Sequence, residues 1–155
     1  KGIKFINNII ELKKKINNHN NLIEEIIYGK ELTVTVIENN NKIMSLGVTE
    51  IEFKSQHYDY IAKYRKNKSF HFLPARISKL QYDFLMKISK KIFRVCGCKG
   101  IARLDFIMSQ KNGKIYFLEI NTHPGLTKLS LAPEQANYKR LSYLNLLKII
   151  LRSSL

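Results

Sequence analysis

Gly100-Ile101-Ala102-Arg103-Leu104-Asp105-Phe106 and, beyond a short polar break, Leu118-Glu119-Ile120-Asn121 decide how this chain is read. Side chains alternate across the faces of a strand, so Arg103 and Asp105 project to one side while Ala102, Leu104 and Phe106 take the other. The second segment repeats the device, with Leu118 and Ile120 pointing one way and Glu119 and Asn121 the other. Antiparallel pairing through a three-residue turn, Lys111-Asn112-Gly113, sets Asp105 opposite Glu119 and Arg103 opposite Asn121, all on one face. Gly113 suits the left-handed position that such a turn needs. Two opposed carboxylates repel, so the arrangement asks for a cation between them. Ligands that are all oxygen favour magnesium over zinc. For either strand alone, a solvated polar face with Arg103 in a salt bridge to Asp105 or Glu119 is the simpler account. The two strands together favour the cation.

Outward from this hairpin, Leu80, Phe84, Ile88, Ile92 and Val95 mark one face of a preceding helix, which Gly97 terminates. Ile101 to Met108 and Lys114 to Ile120 are the two strands themselves. They are followed by a loop around Pro124-Gly125 and a last helix with Leu144, Leu147, Ile150 and Leu151 on its apolar face. Towards the N-terminus, Phe5, Ile6, Ile9, Ile10, Leu12 and Ile16 recur at near-helical spacing, and the polar run Asn17 to Asn21 ends the pattern. Leu22 to Tyr28 and Leu32 to Ile37 read as strands joined by a tight turn at Gly29, and Lys42 to Ile51 as another strand. Lys54 to Pro74 follows neither period and reads as a long ordered loop. No internal repeat is visible.

With 155 residues, 45% of them hydrophobic, the chain can bury one core and reads as a single domain over residues 1–155. No apolar run nears the roughly 18 residues that span a bilayer, and no signal-type block opens the chain. The expectation is a soluble, cytoplasmic protein with no membrane partner. Cys96 and Cys98, one residue apart, are too close for an ordinary disulfide and too few for a structural zinc site, and read as buried thiols. The formal charge of +15 invites a nucleic-acid reading. Yet the charge is diffuse, spread through runs such as Lys13-Lys14-Lys15, and no zinc-finger, helix-turn-helix or aromatic RNA-binding pattern accompanies it. No nucleic-acid partner is expected.

The hairpin segments, continued through Thr122-His123-Pro124-Gly125-Leu126-Thr127, resemble the C-terminal region of D-alanine–D-alanine ligases of the ATP-grasp superfamily. Tyr58-Asp59-Tyr60-Ile61-Ala62-Lys63-Tyr64 looks like that family's substrate-covering loop. Ile23-Glu24-Glu25-Ile26-Ile27 with Gly29-Lys30-Glu31 looks like its adenosine-binding strand and turn, so the resemblance covers nearly the whole chain. It implies an α+β fold, the ATP-grasp C-terminal lobe, with a mainly antiparallel sheet and flanking helices. It implies ATP-dependent joining of two D-alanines through an acyl phosphate, for peptidoglycan precursor synthesis.

On the same basis Asp105, Glu119 and Asn121 would hold two magnesium ions, with manganese as a substitute, that bridge the phosphates of ATP. Arg103 and the Gly125 N–H would stabilise the oxyanion formed when the second D-alanine attacks. Ser130, with Leu131 beside it, would bind that substrate's carboxylate, although Ser130-Leu131 alone also reads as a helix cap. Lys63 would contact phosphate and Tyr64 would help close the loop over substrate. Glu24 and the backbone near Ile27 would read adenine, and Glu31 the ribose hydroxyls. His123 is read as wall, and His57 and His71 have no evident partner.

Ligases of this family are about twice as long, with an N-terminal substrate lobe and a central lobe carrying a glycine-rich loop. The chain is therefore expected to be a fragment or truncated product, lacking the first substrate lobe and most of the central lobe, and inactive alone. The family's usual homodimer is expected of the full-length enzyme only. Ile26 stands where an aromatic is frequent, and Arg140 where a helix-ending glycine is common. Two other functions compete: another ATP-grasp carboxylate–amine ligase, and a non-catalytic remnant serving as a basic binding module.

Overall fold

A computed structural model describes residues 6, 8–15, 22–53 and 69–153. Its centre is β1 (Gly29–Asn39), whose residues Leu32 to Ile37 are buried on both faces. Such two-sided burial requires a layer above and below, and the β-branched run Thr33-Val34-Thr35-Val36 suits a packed pleated surface. β1 pairs antiparallel with β2 (Lys42–Phe53) on one side and with β4 (Ile101–Ser109) on the other. β3 (Ser69–Phe72) and β5 (Ile115–Asn121) complete a five-stranded sheet of order β3-β2-β1-β4-β5. Every strand pair in it is antiparallel.

Asn40 and Asn41 join β1 to β2 as a two-residue hairpin, with φ of 49° and 63°. Asparagine tolerates this left-handed backbone because its short amide can bond locally.

One face of the sheet is covered by α2 (Lys79–Val95). Leu85 and Phe93 of that helix pack with Leu32, Val34, Val36, Val48, Ala102, Leu104 and Phe106 as the main core. Ser78 and Gln81 cap its start reciprocally, Gln81 N–H donating to Ser78 Oγ and Ser78 N–H to Gln81 Oε1. Gly97, at φ 63°, ends it as the sequence indicates: Gly97 N–H reaches Arg94 O and Cys98 N–H reaches Phe93 O. The other face is covered at one end only, where Ala132 and Ala136 of α3 (Leu131–Tyr138) and Leu146 and Ile149 of α4 (Tyr143–Arg152) enclose Ile37, Leu46 and Ile101. Beyond that end the face carries the polar side chains of Thr33, Thr35, Arg103 and Asp105, with Ile51 and Ile107 flanking Glu31 further along.

Several expectations need correction. Leu22 to Tyr28 form no strand, and Gly29 makes no turn. Gly29 opens β1 opposite Ser109, where a Cβ would stand 1.9 Å from Met108 O, so close backbone approach explains the glycine. The stretch expected as loop contains β3, while residues 54–68 lie outside the described ones. The first helix is α1 (Ile9–Lys15), with Phe5 and Ile16 outside the described residues. Cys96 is exposed at the C-cap of α2, and only Cys98 is partly buried, which pushes its thiol pKa up.

Candidate active site on the open face of the sheet

Residues paired across a ladder share a face, so two polar rows run over β1, β4 and β5. One is Thr33, Asp105 and Glu119; the next is Thr35, Arg103 and Asn121. The expected pairs are therefore present, but they arise differently. The turn is one residue longer than expected: Ser109 N–H donates to Lys114 O and Gly113 N–H to Ser109 O, with Gly113 at φ 68°. Phe106 consequently pairs with Phe117 and not with Leu118. A β-bulge then places Leu118 as the extra residue, and Asp105 returns to register with Glu119. Leu118, expected on the apolar side with Ile120, is 54% exposed for that reason. Phe117 turns its ring against Phe106, with centroids 5.5 Å apart.

Arg103 and Asp105 form a forked pair, Nη2 to Oδ2 at 2.7 Å and Nε to Oδ1 at 2.9 Å, with both side chains less than a quarter exposed. Hydrogen bonding to Asp105 raises the guanidinium pKa above its ordinary value, against the opposing effect of burial; the charges of Asp105 and Glu119 add to the rise. Thr33, which sequence reasoning missed, donates its hydroxyl to Asp105 Oδ1 at 2.7 Å. Asn121 Oδ1 accepts the His123 N–H at 2.9 Å, a local bond that shapes the start of the following loop. Among the described residues no three His, Cys, Asp or Glu side chains gather. An ion here would rest on Asp105, Glu119 and the Asn121 amide, an all-oxygen set that fits magnesium or manganese.

After Asn121 the chain passes buried Pro124 and exposed Gly125 to Ser130, the N-cap of α3. The Ser130 hydroxyl does not cap the helix. It turns back to accept the Thr127 N–H at 3.1 Å and to share a hydrogen bond with Thr127 Oγ1 at 2.8 Å. A Cβ on Gly125 would lie 2.8 Å from that hydroxyl, so Gly125 and Ser130 are brought together. Leu131 follows, half-buried, as the first residue of α3.

Glu31 lies on β1 opposite Ile51 and Ile107, partly exposed. Glu24 is exposed and Ile27 partly buried in the irregular segment before β1. Lys63 and Tyr64 lie outside the described residues. His71 on β3 does have a partner, Glu134 Oε2 of α3, at 3.0 Å from Nδ1. A residue pair 63 apart in sequence gives no local signal.

A family model described as D-ala D-ala ligase C-terminus matches residues 1–152 of this chain. The chain belongs to the D-alanine–D-alanine ligase family. Over 149 residues it is 42% identical to the D-alanine–D-alanine ligase of Pelagibacter ubique, covering 95% of this chain and 47% of that protein. The ligase of Rickettsia bellii is also 42% identical, over 86% of this chain and 40% of its own length. Among solved ligases, the Bacillus anthracis D-alanine–D-alanine ligase complexed with ATP superposes with a TM-score of 0.75 and 25% identity, over 99% of this chain and 50% of that one. VanG D-Ala:D-Ser ligase from Enterococcus faecalis gives 0.67 and 27%, over 84% and 38%. The chain thus spans about half the length of the ligases it matches. The five-stranded antiparallel sheet with flanking helices is the ligase fold of these structures, as expected.

Proposed function

We propose that this chain supplies the nucleotide- and metal-binding half of an ATP-dependent D-alanine–D-alanine ligase acting in the cytoplasm on peptidoglycan precursors. The observation that carries the reading is Asp105 directly opposite Glu119, with Arg103 and Asn121 in the neighbouring row. The first substrate's carboxylate oxygen attacks the γ-phosphorus of ATP, ADP leaves, and an acyl phosphate results. The amine of the second D-alanine then attacks the acyl carbon, loses a proton, and phosphate departs. Magnesium or manganese, when bound, offsets phosphate charge during the first step. Asp105, Glu119 and Asn121 would hold two such ions. Arg103 and the Gly125 N–H donate to the oxyanion of the tetrahedral species.

Ser130 and Leu131 seat the second substrate's carboxylate, an assignment favoured by a hydroxyl that is not used as a helix cap. Glu24, Ile27 and Glu31 take adenosine, Lys63 takes phosphate, and Tyr64 closes over the substrates. The ligases this chain matches are about twice as long, and the full-length enzyme of this reading is a homodimer. No membrane or nucleic-acid partner enters this reading.

The test is amino-acid-dependent ADP release by the complete polypeptide carrying this chain. D-alanine should stimulate release and yield the dipeptide. Equal stimulation by L-amino acids, with no D-alanyl-D-alanine formed, would point to a different carboxylate–amine ligase.

A further inference from the structure

Gln135 is fully buried in α3, yet its carboxamide makes three hydrogen bonds to the sheet. The β1–β2 ladder is interrupted between Val34 and Val36, so Thr35 has no partner in β2. Gln135 fills the gap. The Thr35 N–H donates to Gln135 Oε1 at 2.7 Å, and Gln135 Nε2 donates to Thr33 O at 3.1 Å and Thr49 Oγ1 at 2.9 Å. A buried amide with both ends satisfied is a rigid clamp, because releasing either end leaves a desolvated group without a partner.

The clamp fixes the backbone on which the Thr33 hydroxyl sits. That hydroxyl has one hydrogen and two oxygens in reach, Asp105 Oδ1 at 2.7 Å and Leu104 O at 3.3 Å. The shorter contact, to a carboxylate, takes the hydrogen. Oδ1 also accepts Arg103 Nε at 2.9 Å, whereas Oδ2 has one short donor, Arg103 Nη2 at 2.7 Å, and only a long shared contact from Nε at 3.3 Å. Each carboxylate oxygen offers about two lone-pair directions. Thr33 and Arg103 therefore fix the carboxylate plane through Oδ1 and leave Oδ2 a direction open for a cation.

We propose that Thr33 is a positioning residue for Asp105, held in place from α3 by Gln135. The helix whose N-cap is Ser130 is thereby tied to the orientation of the acidic pair. This inference rests on Asp105 being a metal ligand, as proposed above. Hydrogen-bonding partners of metal ligands change metal affinity by roughly 10–100-fold when removed.

The experiment is a manganese titration of the complete polypeptide carrying this chain with saturating ATP, read by electron paramagnetic resonance, with thermal unfolding in parallel. Thr33→Val, which keeps shape and loses the hydroxyl, should weaken manganese binding about tenfold. Thr33→Ser should restore wild-type affinity, which a purely packing role for the methyl group would not do. Gln135→Met should weaken binding in the same direction, and supplies the answer if Thr33→Val does not fold. Wild-type affinity in Thr33→Val and Gln135→Met, with binding lost in Asp105→Asn, overturns the positioning role while the metal assignment stands. Undiminished binding by Asp105→Asn, or none by the wild type, overturns the metal assignment and this inference with it.

Discussion

Glu119 faces Asp105 only because Leu118 is bulged out of the β4–β5 ladder. Were the ladder regular from Met108 onward, Leu118 would face Asp105 and Glu119 would fall on the opposite face beside Leu104. Deleting Leu118 should therefore leave the Asp105–Glu119 pair intact, since the residue after Phe117 would then be Glu119. In a thermal melt, magnesium with ATP should stabilise both the wild type and the deletion, by about 2.7 kcal/mol at a hundredfold excess over Kd. Asp105→Ala should show no such response. A deletion variant that folds but ignores magnesium and ATP would contradict the register argument.

Gly29 is required by the closeness of β4, so Gly29→Ala should separate the start of β1 from Met108 and Ser109. The expected cost is about 2 kcal/mol, from overpacking against backbone that cannot rotate away. Urea unfolding measures it. A loss of a few tenths, as for an unconstrained glycine, would restore the turn reading.

Thr35 Oγ1 is buried with no hydrogen-bond partner. Replacing it with an isosteric methyl removes an unpaid desolvation, so Thr35→Val should stabilise the chain by about 1 kcal/mol. Chemical denaturation with an unchanged m-value would establish this. Destabilisation would mean that the hydroxyl has a partner.

Glu50 is buried on β2 between Lys30 and Arg76: Arg76 Nη2 reaches its Oε1 at 2.7 Å and Lys30 Nζ at 3.1 Å. Burial alone would raise its pKa, but hydrogen bonds from Arg76 and then Lys30 outweigh burial and hold it below the ordinary carboxylate value. A lowered folded-state pKa means that the unfolded chain binds the proton first. Glu50 thus stabilises the fold fully above the ordinary glutamate range, and that contribution is lost as pH falls through the folded value. Glu50→Gln should flatten the acid limb of the stability profile and lower stability near neutrality. An unchanged acid limb would assign that slope to other carboxylates.

Much of the site was legible in the sequence because its signals are local. Period-two alternation around Arg103 and Asp105 and around Glu119 and Asn121 assigned faces, and Gly113 marked the turn. The register came out right although the turn was read one residue short, because the bulge at Leu118 offsets the longer connection. Alternation does not reveal a bulge, since the extra residue looks like any other strand residue. The segment Leu22 to Tyr28 failed for the reverse reason: its apolar content is strand-like, but the described sheet offers it no neighbouring strand.

The sequence by itself determined the antiparallel pairing of the Arg103–Asp105 and Glu119–Asn121 strands, the helix ending at Gly97, and the acidic and amide side chains on one strand face, while the α+β lobe as a whole was legible only through the family resemblance. The first three follow from residue type and a spacing of a few positions. Only the tertiary structure decided that Gln135 mends the β1–β2 ladder, that Thr33 holds Asp105, and that His71 meets Glu134. Those contacts join residues 63 to 102 positions apart. Their partners are selected by which elements pack together, and packing depends on the whole core at once.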